Sequence, residues 1–306
     1  SILHKHQLHL KPVINYWIEE LKIALQTQFK QLAFPEKEFK FISTLDVDNL
    51  YAYKNKGLTR TAGALVKDFL RFDFKNLTRR ISVITGKQAD PFDVYEELTD
   101  FCNQEKTTLI YFFLQRSNTK YDRTIDPNSS SFKKIFAQFK NQRVLFGLHP
   151  SYHTYNNKHL LKKELELINS NSKSNINISR QHYLRYDIKI TPSLLKETGI
   201  IADFSMGFAS GSGYRAGTFT PFSYYNFTAE AAQELLMVPF VAMDGAYFVY
   251  SKTEAQVAEN QLTSLAAEAK KLKGVFISVF HERTFDNELY PGFKQVYFNH
   301  IIKVKQ

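Results

Sequence analysis

Short apolar runs recur along the chain, separated by longer stretches in which apolar positions return at helical spacing. The runs predict strands at about residues 41–48 (FISTLDVD), 108–114 (TLIYFFL), 144–149 (VLFGLH), 175–179 (NINIS), 200–204 (IIADF), 237–243 (MVPFVAM) and 274–281 (GVFISVFH). The stretches between them predict helices over 60–70, 93–105, 131–140, 158–169, 192–198, 228–236 and 254–272. Start signals mark three of these: Asp90-Pro91 ahead of the second, Thr191-Pro192 at the fifth, and Thr228 with Glu230 at the sixth. Strands that alternate with helices build a parallel sheet covered by helices. Seven such units without a change of composition predict a closed or nearly closed α/β barrel, one domain over residues 1–306 with 1–40 as a helical lead-in. An open doubly wound sheet is the alternative. The Gly-rich stretch 208–219 (FASGSGYRAGTF) reads as a flexible loop and 169–175 (NSNSKSN) as a polar connector.

Barrels carry their functional groups at the C-terminal ends of the strands, so the residues that end the predicted strands are the ones to inspect. The first strand ends in Asp46 and Asp48. Strand side chains alternate, which puts both carboxylates on one face and Val47 on the other. Two like charges so placed need a cation beside them or a shared proton. An Asx-turn pair at a strand end is the simpler reading of these two residues taken alone. The third strand ends "HPSYH", with His149 and His153 four residues apart. With Pro150 at the first helical position, both imidazoles share one face of the opening turn. Two histidines at that spacing with a carboxylate can hold a zinc ion and leave a coordination position open. A turn with two exposed histidines fits the same residues. The fourth strand leads into "SRQHY", with Arg180 and His182, the fifth carries Asp203, and the last ends in His281.

Composition narrows the partners. The chain of 306 residues is 43% hydrophobic, enough for a large core, and carries a net charge of +10. The lysines are scattered and no nucleic-acid motif accompanies them, so the charge points to an acidic glycan as readily as to a nucleic acid, which is not the expected partner. The single cysteine, Cys102, excludes a disulfide framework. No stretch reaches the apolar length of a membrane span, and no signal peptide is visible. The chain begins with Ser, which leaves room for an upstream segment.

"TLDVD", then "HPSYH", an arginine segment and the strand-final His of "ISVFH" together resemble the polysaccharide deacetylases of carbohydrate esterase family 4. The order and spacing match from about residue 41 to 281, and "TLDVDN", "GLHPSY" and "YRAGTFTPF" resemble a bacterial subgroup in which another domain can precede this one. The resemblance implies a distorted (β/α)7 barrel, one divalent metal (Zn, with Co or Ni as alternatives) and an acetylated carbohydrate substrate. It also implies a cytoplasmic or cell-envelope location. Carried over, it makes Asp48, His149 and His153 the metal ligands, Asp46 the general base, Arg180 the residue that orients the base, and His281 the general acid. The sequence departs from the family at Pro150, where Ser or Thr follows the first His, and at Gln181-His182, where prolines follow the Arg. Arg215 and Asp244 receive no role. Tyr152, Tyr214 and Phe219 are candidates for stacking on sugar faces. A carbohydrate-binding domain of the same fold without turnover is the alternative function.

Overall fold

The computed structural model describes residues 2–116, 119–139, 142 and 144–305. Its strands are β1 (Lys40–Val47), β2 (Thr108–Leu114), β3 (Val144–His149), β4 (Ile178–Ser179) and β5 (Ala202–Met206), then β6 (Phe222–Asn226), β7 (Ala231–Pro239), β8 (Ala242–Met243) and β9 (Val275–His281). They form one sheet in the order β6-β7-β5-β4-β3-β2-β1-β9-β8, parallel throughout except for β6 against β7. Residues 231–243 join its two ends. β7 pairs with β5 and β8 pairs with β9. Between them Phe240 N donates to Met206 O (3.1 Å) and Val241 N donates to Ile277 O (2.9 Å). The run 237–243 therefore closes a ring of seven parallel strands, as the barrel expectation requires. The distortion lies at β4, two residues long, and in a register shift between Asp203 and Met206.

Helices α1 (Ile2–Lys5) and α2 (Val13–Gln28) precede the barrel, and α3 (Leu58–Leu70), α4 (Phe74–Ile84) and α5 (Tyr95–Gln104) fill the first crossover. The later crossovers hold α6 (Ser130–Gln138), α7 (Lys158–Ser172), α8 (Thr191–Glu197) and α9 (Ala255–Lys271), and α10 (Phe293–Lys305) ends the chain. Six predicted helices correspond to α3 and α5–α9. The last position of the 131–140 expectation, Lys140, lies outside the described residues.

Both faces of the central strands are buried, which is why they read as unbroken apolar runs. On β2, Leu109, Tyr111 and Phe113 join the core under the helices, while Ile110 and Phe112 point into the barrel. Phe204, Val238, Phe240, Ile277 and Val279 complete that interior. Gly147 on β3 gives Phe112 its space: a Cβ there would lie 2.4 Å from the ring and 3.2 Å from Ile178. Gly147→Ala is expected to destabilise the fold by about 1–3 kcal/mol, because the neighbours are a packed ring and a β-branched chain. Urea unfolding of the two proteins checks this.

The helix expected over 228–236 is instead strand β7, paired antiparallel with β6. Thr228 and Glu230 mimic a helix start, but Asn226 Oδ1 accepts from the backbone N–H groups of Thr228 and Ala229, so they form a hairpin turn. Beyond it Leu235 and Met237 enter the outer core and Val238 the barrel, so strand pairing overrides the helix propensity of Ala-Ala-Gln-Glu-Leu-Leu. The Gly-rich segment 208–219 is likewise tied down. Gly213 N donates to Val241 O (2.7 Å) and Tyr214 N to His9 O (2.6 Å). Gly213 has φ +126°, and a Cβ there would meet His9 O at 2.4 Å, so the approach of the N-terminal segment depends on this glycine.

Candidate metal centre and active site

The inward-facing positions of β1 are Ile42, Thr44 and Asp46, and Asp48 continues the same face just past the strand end. Asp46 lies in register with His281 of β9. The cation beside Asp46 is Arg180, which leaves β4 fully buried inside the barrel. Its Nη1 donates to Asp46 Oδ1 (2.7 Å) and to Thr44 Oγ1 (2.8 Å), and its Nε to Phe204 O (3.0 Å). The guanidinium carbon sits 4.5 Å from the Phe112 ring centroid and 5.4 Å from that of Phe240. Asp203 fixes the segment that delivers Arg180. It accepts from Ser179 Oγ and Ser205 Oγ (3.0 Å each), and Ser205 Oγ in turn accepts from Gln181 N (2.9 Å). Burial pushes the Asp203 carboxyl up to about 6.

Asp48 meets two imidazoles. Its Oδ1 lies 3.3 Å from His149 Nε2 and 3.4 Å from His182 Nε2. The other ring nitrogen of each histidine is engaged, His149 Nδ1 with Arg180 O at 2.5 Å and His182 Nδ1 with Asp122 Oδ1 at 2.8 Å. A carbonyl and a carboxylate can only accept, so each Nδ1 carries a proton and each ring turns its Nε2 to Asp48. Asp48 Oδ1 and His149 Nε2 are buried without a hydrogen-bond partner. Donors bound to a tetrahedral ion at about 2.0–2.2 Å stand roughly 3.3–3.5 Å apart, the spacing of both Asp48–His pairs. The residues therefore fit a divalent metal, with an outer carboxylate behind one imidazole and a carbonyl behind the other.

The trio that converges is Asp48, His149 and His182, and His153 is not in it. The α-helical turn expected at Pro150 does not form; Thr154 N donates to Ser151 O (3.0 Å) and a short 3-10 helix follows over Thr154–Asn156. Ser151 N donates to Glu164 Oε2 (2.9 Å), the Thr154 hydroxyl donates to Ser151 O (2.7 Å), and α7 starts only at Lys158, capped by Asn157. His153 is consequently exposed, beside the rings of Tyr121 and Tyr152. His182, visible in the sequence as a departure after Arg180, arrives from the neighbouring strand. In the metal-free chain burial disfavours its charged form, but Asp48 and Asp122 outweigh that and raise it to about 9. A proton and a dication are thus alternative occupants of the space between His182 and Asp48.

Asp48 uses its second oxygen differently. Oδ2 pairs with Arg283 Nη1 at 3.0 Å. Burial alone would raise the Asp48 carboxyl, but His182, Arg283 and the imidazole contacts hold it well below the usual range. His281 stands at the far side, with Nε2 4.0 Å from Asp48 Oδ2. Asp244 sets its orientation, accepting from His281 Nδ1 (2.7 Å) and His281 N (2.6 Å). Burial opposes charge on this ring, and Asp244 overcomes it, so the His281 pKa is raised. Asp244 is an orienting group that the sequence alone does not single out.

Asp46, Asp48, His149, His182 and His281 line one cavity of about 300 Å³. Of the stacking candidates, Tyr214 and Phe219 are buried in the core, and Tyr152 is covered by Tyr121 (3.7 Å between centroids) and by Arg185. The exposed rings lining the cavity are Tyr183 and Tyr250.

No protein-family model matches the chain, and no curated protein matches it. Solved structures do. A protein assigned as a polysaccharide deacetylase from Mycobacterium smegmatis aligns with a TM-score of 0.56 at 14% identity, over 89% of this chain and 86% of that one. Another so assigned, from Pseudomonas aeruginosa PAO1, aligns with a TM-score of 0.51 at 9% identity, over 87% and 84%. The chain has the fold of these deacetylases, and at such identities the likeness is one of fold.

Proposed function

We propose that this chain is a metal-dependent hydrolase that removes acetyl groups from N- or O-acetylated sugars, with Asp48, His149 and His182 holding one divalent ion, Zn in the first place. The observation that supports this most is the convergence of two imidazole Nε2 atoms and an unpartnered carboxylate oxygen in the cavity that also holds Asp46 and His281. A bound divalent ion supplies Lewis acidity to the acetyl carbonyl and to water. Asp46 is the proton acceptor. Its Oδ1 is held by Arg180, which leaves Oδ2 for the proton of the attacking water. Arg180 fixes that carboxylate from inside the barrel. His281, hydrogen-bonded through Nδ1 to Asp244, presents Nε2–H to the departing amine or hydroxyl. A binding domain without turnover would need neither an acid nor a base. Acetate release from acetylated oligosaccharides by the metal-loaded chain, absent after chelation and restored by Zn, tests the reading; metal uptake without acetate release refutes it.

The acid has its own signature. His281→Ala is expected to keep metal affinity and to slow turnover by roughly 10²–10⁴ on an acetamido sugar. The deficit should shrink on a nitrophenyl acetate, whose leaving group departs without a proton. Equal deficits on the two substrates would remove His281 from the role of acid.

A further inference from the structure

Outside the catalytic cavity, the most unusual surface is the turn between α3 and α4. Residues 69–75 (FLRFDFK) are all exposed, and among them Phe69 is 58%, Leu70 68% and Phe72 78% exposed. Phe72 adopts φ +56°, a left-handed conformation that a bulky side chain rarely takes, and its ring meets only Phe74 among the aromatic contacts at this turn. Apolar exposure continues along both helices at Leu58, Val66, Ile81 and Ile84. Within residues 58–87 stand seven lysines and arginines against two aspartates. Both aspartates are used internally: Asp68 binds Arg80 Nε at 2.7 Å, and Asp73 caps α4. Lys67 and Arg71, which flank the apolar tip, make no ion pair among the described residues.

We infer that the α3–α4 hairpin docks this protein on an anionic lipid surface, with Phe69, Leu70 and Phe72 entering the interface and Lys67 and Arg71 meeting the headgroups. Burying an apolar tip ringed by cations satisfies both halves of the surface at once, which is how interfacial helices bind. Charge selects this face over the other exposed apolar stripe. On α2, Trp17, Ile18 and Leu21 are exposed, but that helix carries two glutamates against one lysine, Lys22, which is paired with Glu19 at 3.4 Å, so it offers an anionic surface no cationic excess. Among the described residues no helix is long and apolar enough to cross a membrane, so the hairpin lies on the bilayer. Docking also orients the catalytic mouth. Arg79 of α4 holds Asp286 through two hydrogen bonds (2.9 and 2.8 Å), three residues after the cavity-lining Arg283, and Lys75 pairs with Glu288 at 3.0 Å.

The test is sedimentation of the full chain with vesicles of phosphatidylcholine, with and without phosphatidylglycerol. The chain should bind the mixed vesicles, less so as salt is raised, and bind neutral vesicles weakly. Joint Phe69→Ser, Leu70→Ser and Phe72→Ser changes should lower affinity for mixed vesicles by roughly tenfold or more, without lowering the unfolding midpoint, because the three side chains are exposed. Lys67→Gln with Arg71→Gln should remove most of the salt dependence. As a second readout, Phe72→Trp in a Trp17→Phe background should shift its emission to the blue on mixed vesicles only. Equal binding to neutral and mixed vesicles, or no loss in the triple variant, overturns the inference. So does self-association that the triple variant abolishes while vesicles remain unbound, which would make the face a contact between two copies.

Discussion

Asp46→Asn is expected to retain the divalent ion and lose deacetylation by roughly 10²–10⁴, the usual size of a general-base contribution. Asp46 shares the inner face of β1 with Asp48 but belongs to a different unit: its partner is Arg180, at 2.7 Å, and it is not one of the converging metal donors. An amide keeps the shape and one acceptor yet cannot take a proton. The substitution also leaves a fully buried guanidinium without its counter-charge, a change that costs up to about 3–5 kcal/mol when a buried pair is broken. Loss of activity could then be mistaken for loss of structure. Arg180→Met combined with Asp46→Asn separates the two, because it removes the orphan charge in favour of an apolar chain among Phe112, Phe204 and Phe240. The double variant should recover stability in urea unfolding and remain inactive. Metal content that falls together with activity in Asp46→Asn would make Asp46 a ligand instead, and unimpaired turnover would deny it the role of base.

The second large effect is on metal affinity, graded over three residues. His182→Ala removes one of three donors and is expected to weaken Zn binding by more than the roughly 10–100-fold that loss of an outer partner costs. Asp122→Asn should fall within that 10–100-fold range, because Asp122 holds the His182 ring through Nδ1 and touches no site for the ion itself. His153→Ala should leave affinity unchanged, since its ring lies outside the cavity against Tyr121 and Tyr152. Titration with a competing chelator measures all three without requiring activity. A strong effect of His153→Ala with none from His182→Ala would reverse the assignment and imply that the 150–157 turn rearranges around the ion.

The contrast between those two histidines shows where the reach of the sequence ends. Local rules carried far along the strands. The doubly buried runs of β1, β2 and β9 announce a parallel sheet closed on itself, and period-two alternation puts Asp46 and Asp48 on one face whatever surrounds them. The placement of Arg180 and His281 at strand ends is legible for the same reason, because in a barrel all strand ends meet at one rim. Alternation says nothing about a chain once it leaves the strand. The 150–157 segment takes a tight turn and a short 3-10 helix rather than an α-helix, with the Ser151 backbone and hydroxyl anchored on Glu164, thirteen residues further on. His182 enters the site only because β4 pairs with β3 and Asp122, sixty residues away in sequence, fixes its ring. The same holds for residues 231–239, where helix-favouring side chains form a strand because β5 and β6 supply hydrogen-bonding edges on both sides. The sequence by itself determined strands β1–β5 and β9, their buried faces and the residues at their ends, since these follow from neighbours one to four positions apart, though not β6 or the first part of β7. Which imidazoles face Asp48 was decided by tertiary contacts, because a hydrogen bond to one ring nitrogen aims the other, and its partners lie on other elements.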